Sequence, residues 1–95
     1  MSFEERITLV TISFRSKNSL EKLIKNVSDD CEIIIVDNSQ DLDTTKEFSN
    51  KPYLKILSPK RNLGFGAACN LGAKASSRDY LFFCESRLYP RRKNN

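Results

Sequence analysis

Two short aliphatic runs with an amphipathic segment between them restrict this chain more than any other feature. Ile7 to Phe14 reads Ile-Thr-Leu-Val-Thr-Ile-Ser-Phe, and Glu32 to Val36 reads Glu-Ile-Ile-Ile-Val. Both are rich in β-branched residues and nearly continuous in hydrophobicity, as strands covered on both faces are. Between them Leu20, Leu23, Ile24 and Val27 recur at i, i+3, i+4 and i+7, with Glu21, Lys22 and Lys25 on the opposite side. That is a helix laid on a sheet. Asn18, with Glu21 three residues on, has the form of a capping box and predicts the helix start. Strand, crossover helix and second buried strand make a parallel pair, and such crossovers are right-handed.

The alternation continues. Asp43 is in place to cap a short helix through Phe48, Tyr53 to Leu57 reads as a third strand, and Tyr80 to Cys84 as a fourth. Between the last two, a helix of small residues is expected from about Phe65 to Ser76, with Phe65, Cys69, Gly72 and Ala73 on one face. The order β-α-β-(α)-β-α-β predicts an α/β fold, a three-layer Rossmann-like parallel sheet. Past Cys84 the periodicity stops. The reading is therefore one domain over residues 1–84 and a basic, loose tail over 85–95.

Ninety-five residues allow one small domain. The formal charge of +4 suggests a polyanion partner, but Arg87, Arg91, Arg92 and Lys93 all fall in the last nine residues. Without those four cations the rest is neutral, so no nucleic-acid partner is expected of the domain. The tail's cations suit phosphate or an acidic membrane surface, or simply solvent. No apolar run reaches the ~20 residues of a membrane span. Three unpaired cysteines and an acidic N-terminus lead to the expectation of a cytoplasmic protein with reduced thiols. With no histidine and no CxxC, zinc has no support, and Cys31, Cys69 and Cys84 read as small buried hydrophobes.

All three glycines lie in one stretch, Arg61 to Ala75, at Gly64, Gly66 and Gly72. Glycines around a helix start bring backbone close to a sheet or to a phosphate. The stretch is neither a P-loop nor a dinucleotide fingerprint, because it lacks Gly-Lys-Ser/Thr and no glycine follows the first strand. In an open α/β sheet, ligands bind beyond the carboxyl ends of the strands. Those ends here are Ser13-Phe14-Arg15, Asp37-Asn38, the Arg61-to-Gly64 turn and Glu85-Ser86-Arg87. Asp37 can accept from a base N–H or a ribose hydroxyl; equally, it can cap its own turn.

Four blocks in one order carry a resemblance. They are Leu9-Val10-Thr11-Ile12-Ser13-Phe14-Arg15-Ser16, Glu32 to Ser39 with Asp37-Asn38 at its end, Arg61 to Gly72, and Asp79-Tyr80-Leu81-Phe82-Phe83. Together they resemble the N-terminal half of a family 2 inverting glycosyltransferase, in particular its rhamnosyltransferase-like branch. The resemblance implies the nucleotide-binding half of a GT-A (nucleotide-diphospho-sugar transferase) fold, with strand order 3-2-1-4. It implies that Ser13, Phe14 and Asp37 hold the base and ribose of a nucleotide-diphospho-sugar, and that Asn62, Gly64 and Asn70 line its pocket. It also implies a divalent metal (Mg or Mn) held by a short acidic motif after the fourth strand. At the matching positions stand Glu85, Ser86 and Arg87, leaving Glu85 as the candidate metal ligand, and a cation at the last position cannot ligate a metal. The family-like pattern breaks off there, which suggests a truncated or out-of-frame end and no sugar transfer by this chain alone. Left uncovered, Tyr80 to Cys84 is an apolar edge that invites pairing, so a homodimer or a separately supplied second half is expected.

Overall fold

The computed structural model describes residues 1–42, 48 and 50–85, with Glu85 described through its backbone. After a 3-10 turn over Glu4–Arg6 come strand β1 (Ile7–Ser13), helix α1 (Lys17–Lys25), strands β2 (Glu32–Asp37) and β3 (Leu54–Leu57), helix α2 (Phe65–Ala75) and strand β4 (Tyr80–Glu85). The four strands form one parallel sheet in the order β3-β2-β1-β4. This is the expected α/β architecture and strand order. The helix expected over Asp43–Phe48 falls almost wholly on residues 43–47, which lie outside the described residues.

β2 explains why the sheet needs two helices. Every residue from Glu32 to Asp37 is buried, so its side chains, which alternate between faces, must be covered twice. Ile33 and Ile35 join Leu20 and Ile24 of α1 and Leu42 in one cluster, with Leu23, Val27, Leu54 and Ile56 packed against it. Val36 of β2 and Val10 of β1 face α2. The helical stripe of α1 thus does what its spacing requires. Its start is different: the N-cap is Ser16, without a side-chain capping bond. Arg15 takes a left-handed φ of 53°, which turns the chain sharply after β1 and lets the helix begin before Asn18. The hydroxyl of Ser16 is 3.2 Å from that of Ser13 instead.

The sheet-facing side of α2 also differs from the expected one. Ala68 and Gly72, one turn apart, are buried, whereas Phe65 is 66% exposed. The reason is proximity. A Cβ on Gly72 would lie 2.4 Å from Val10 Cγ1 and 3.4 Å from Val36 Cγ2. A helix lying so close accepts only alanine and glycine beneath its axis. Phe65 is displaced to the flank, where with Cys69, Val10, Ile12, Phe83 and Cys84 it lines a hollow of about 110 Å³.

A buried carboxylate locks the far end of α2. Glu32 Oε1 accepts from Thr8 Oγ1 at 2.6 Å and from Ser77 N at 2.8 Å, and Oε2 accepts from Ser77 Oγ at 2.8 Å. Burial by itself raises the Glu32 carboxyl, but these hydrogen bonds and the nearby Lys55 ammonium outweigh it, so its pKa is lowered. β4, paired with β1 alone among the described strands, leaves Tyr80, Phe82 and Phe83 at 44–50% exposure. Among the described residues, no helix is long and apolar enough to cross a membrane.

Candidate functional site

Parallel strands end together, and here the ends of β1 and β2 meet the start of α2 along one rim. Ser13 and Asp37 are register partners at the ends of β1 and β2. Both are fully buried. The ladder runs one step further, as Asn38 N donates to Ser13 O at 2.8 Å. Phe14, the next residue, is 40% exposed, and the Arg15 guanidinium lies 5.3 Å from its ring centroid. The rim therefore presents an aromatic face backed by a cation.

Asp37 takes the turn-capping role that its position allows. Its Oδ2 accepts from Leu42 N at 3.0 Å, and Oδ1 lies 3.3–3.4 Å from Ser39 N, Ser39 Oγ and Asp41 N. Ser39 extends this order sideways, since its hydroxyl donates to Asp41 Oδ1 at 2.6 Å and accepts from Arg15 N at 2.9 Å. The loops after β1 and β2 are thus joined through one hydroxyl.

The side chain of Asn38 does for α2 what that of Asp37 does for the neighbouring loop. Leu63 N donates to Asn38 Oδ1 at 3.2 Å, and Asn38 Nδ2 donates to Gly64 O at 3.3 Å. Asn38 is 4% exposed. The next link is local: Asn62 Oδ1 accepts from Gly64 N at 2.8 Å. Gly64 itself sits at φ 80°, ψ 170°, a conformation open essentially to glycine alone. It is the N-cap of α2 and contributes no side chain, so the first amides of the helix carry no side-chain cap. Over Gly66 there is nothing within 4 Å of where a Cβ would be. The three glycines divide accordingly, into a backbone turn at Gly64, open space at Gly66 and close packing at Gly72.

Ser13, Asp37, Asn62 and Gly64 are brought together at the rim, beside Phe14. Asn70 is not. It lies five residues into α2, roughly 160–200° around the axis from Ala68 and Gly72, and is exposed on the side turned from the sheet. Glu85 ends β4 opposite Ile12. Asn38 is the residue that sequence reasoning undervalued, though strand alternation gives the signal. If Ile33, Ile35 and Asp37 face one helix, then residue 38 faces the other.

The side chain of Glu85, the candidate metal ligand, lies outside the described residues. Among them no three His, Cys, Asp or Glu groups converge, and the carboxylate nearest the rim, Asp37, is occupied by its own loop.

A parallel sheet of order 3-2-1-4 between two helices, with a backbone-built turn at its carboxyl rim, defines an α/β protein of the Rossmann-like class. Within that class the family model described as glycosyl transferase family 2 matches residues 8–90. The chain belongs to that family, and its fold is that of the N-terminal half of the GT-A architecture. The match reaches residue 90, six residues past the end of the regular pattern at Cys84. A search of curated proteins finds no match to the chain.

Proposed function

We propose that this chain binds a nucleotide-diphospho-sugar at the rim and serves as the donor-binding part of a glycosyltransferase. The observation that carries the reading is the docked, uncapped start of α2 beside the exposed Phe14 in a chain of family 2. The Phe14 ring offers a stacking face to the base. Asp37 receives a base N–H or ribose hydroxyl by exchanging one of its long 3.3–3.4 Å contacts, while Ser13 fixes the edge from below. Asn62, Gly64 and the first amides of α2 face the diphosphate, where the positive end of the helix dipole favours negative charge. Asn70 serves the sugar only if the sugar runs over the outer side of α2.

Transfer itself needs a base at the acceptor hydroxyl and stabilisation of the leaving diphosphate. The reading concerns donor binding at the rim and assigns these residues no step of the transfer. Calorimetric titration with UDP-, dTDP- and GDP-sugars, with and without Mn²⁺, tests it. The dTDP donor is included because of the resemblance to the rhamnosyltransferase-like branch. Absence of heat with every donor at millimolar concentration would remove the reading.

One observation favours a second reading, an α/β module that pairs through its edge strand. β4 holds three half-exposed aromatic residues and is the terminal strand of the sheet on its side. Such an edge is a template for another strand.

A further inference from the structure

We infer that Asn38 is a positioning residue, whose side-chain amide sets the start of α2 for the donor diphosphate. The inference rests on the donor-binding reading above and goes beyond it, because Asn38 is buried and is assigned no contact with the donor in that reading. Three elements meet at this one residue. Its main-chain N–H extends the β1–β2 ladder to Ser13 O, its Oδ1 receives Leu63 N–H, and its Nδ2 donates to Gly64 O. An amide side chain offers an acceptor and a donor side by side, the same pair that a neighbouring strand would present. Asn38 therefore acts as one extra rung of sheet, joining the end of β2 to the turn that opens α2.

The direction of that turn matters because Gly64 has the freest backbone on the rim. Its O also starts α2, accepting Ala68 N at 3.2 Å, so a shift at Gly64 moves the first helical turn with it. Asn62 ties Gly64 only to a residue two positions earlier and cannot orient the turn against the sheet. Asn38 is the side chain that makes that connection, and it leaves β2 on the face opposite to Asp37. Asp37 holds the loop on the α1 side and Asn38 holds the helix on the α2 side. Asp37, the last residue of β2, and Asn38, the first residue after it, thus fix the two walls of the rim.

The test compares wild type with Asn38→Ala, Asn38→Asp, Gly64→Ala and the double variant Asn38→Ala/Gly64→Ala. Two measurements are made well below each melting temperature: amide exchange of the unliganded chain, and calorimetric affinity for the best-binding donor. In Asn38→Ala the Leu63 amide is expected to exchange at least about tenfold faster, with the Ile34 and Ile35 amides unchanged. Donor affinity is expected to fall about 10- to 100-fold, the usual loss when a supporting hydrogen bond is removed from a binding group. Asn38→Asp keeps the acceptor for Leu63 and loses the donor to Gly64, so it should fall between. It also serves if the alanine variant does not fold. Because Asn38 acts through Gly64, the double variant should bind no more weakly than the poorer single one. Unchanged Leu63 exchange overturns the clamp. Unchanged affinity in a folded Asn38→Ala, or losses that multiply in the double variant, reduces Asn38 to a structural role and overturns the inference. A wild type that binds no donor overturns the donor reading and the inference built on it, while Leu63 exchange still reports separately whether the clamp exists.

Discussion

Single side chains of this protein divide sharply between those whose role is local and those whose role is set by a distant partner. Thr11 is fully buried on β1, and its hydroxyl has no hydrogen-bond partner among the described residues. An unmet buried hydroxyl costs about 1–3 kcal/mol. Thr11→Val keeps the shape and the β-branching, so it should raise stability by about 1 kcal/mol, read as a higher melting temperature; a lower one would show that the hydroxyl has a partner. Glu32 works the other way. Its folded pKa is below the unfolded value of about 4.3, held there despite burial by Thr8, Ser77 and Lys55. Its contribution is therefore complete above pH ~4.3 and is lost as pH falls through the folded pKa. Urea midpoints measured from pH 6 downward (a range chosen to bracket carboxylate titration, about pH 6 to 2.5) should drop more steeply in wild type than in Glu32→Gln. Parallel curves would rule out that linkage. At the rim, Phe14→Ala should weaken donor binding by about 1–3 kcal/mol, the scale of base stacking on an aromatic ring, with little change in stability because the ring is exposed.

At the scale of elements, the two helices show how much of packing can be read from spacing. α1 carries a wide stripe of large aliphatics, and Leu20 and Ile24 end up buried as the i, i+4 pattern requires. α2 has no stripe of large aliphatics, with Ala67, Ala68, Cys69, Gly72 and Ala73 all small, so spacing alone did not distinguish a Phe65–Cys69 face from an Ala68–Gly72 face. Distance to the sheet decided it. Gly72→Ala illustrates the point, since helix propensity favours it by about 1 kcal/mol but the new methyl meets Val10 at 2.4 Å. Overpacking of this kind costs about 1–3 kcal/mol, and a net loss of stability is expected. Gly66→Ala meets nothing within 4 Å and should gain up to about 1 kcal/mol. Denaturant titration of the two variants separates these signs. Equal shifts for both would mean that α2 does not lie as close to β1 as described.

For the molecule as a whole, the aromatic residues of β4 govern how it associates. With Phe82 and Phe83 about half exposed on a terminal strand, self-association that grows with concentration is expected in sedimentation velocity. Phe82→Lys, which charges the edge, should return the chain to monomer; a wild type that stays monomeric at high micromolar concentration would set the pairing aside. The sequence by itself determined the α/β class, the two buried strands, the amphipathic α1 and the position of the rim. Those properties depend on local periodicity and on residues that can only be buried. Tertiary structure decided the rest. It showed Asp37 bound to its own loop, turned Asn70 outward, placed Ala68 rather than Phe65 against the sheet, and joined Asn38 to Leu63 and Gly64. The Asp37 contacts are local but depend on how its loop turns. The Asn38 bonds to Leu63 and Gly64 and the close approach of Gly72 to Val10 join residues far apart in the chain, and such pairings leave no periodic trace.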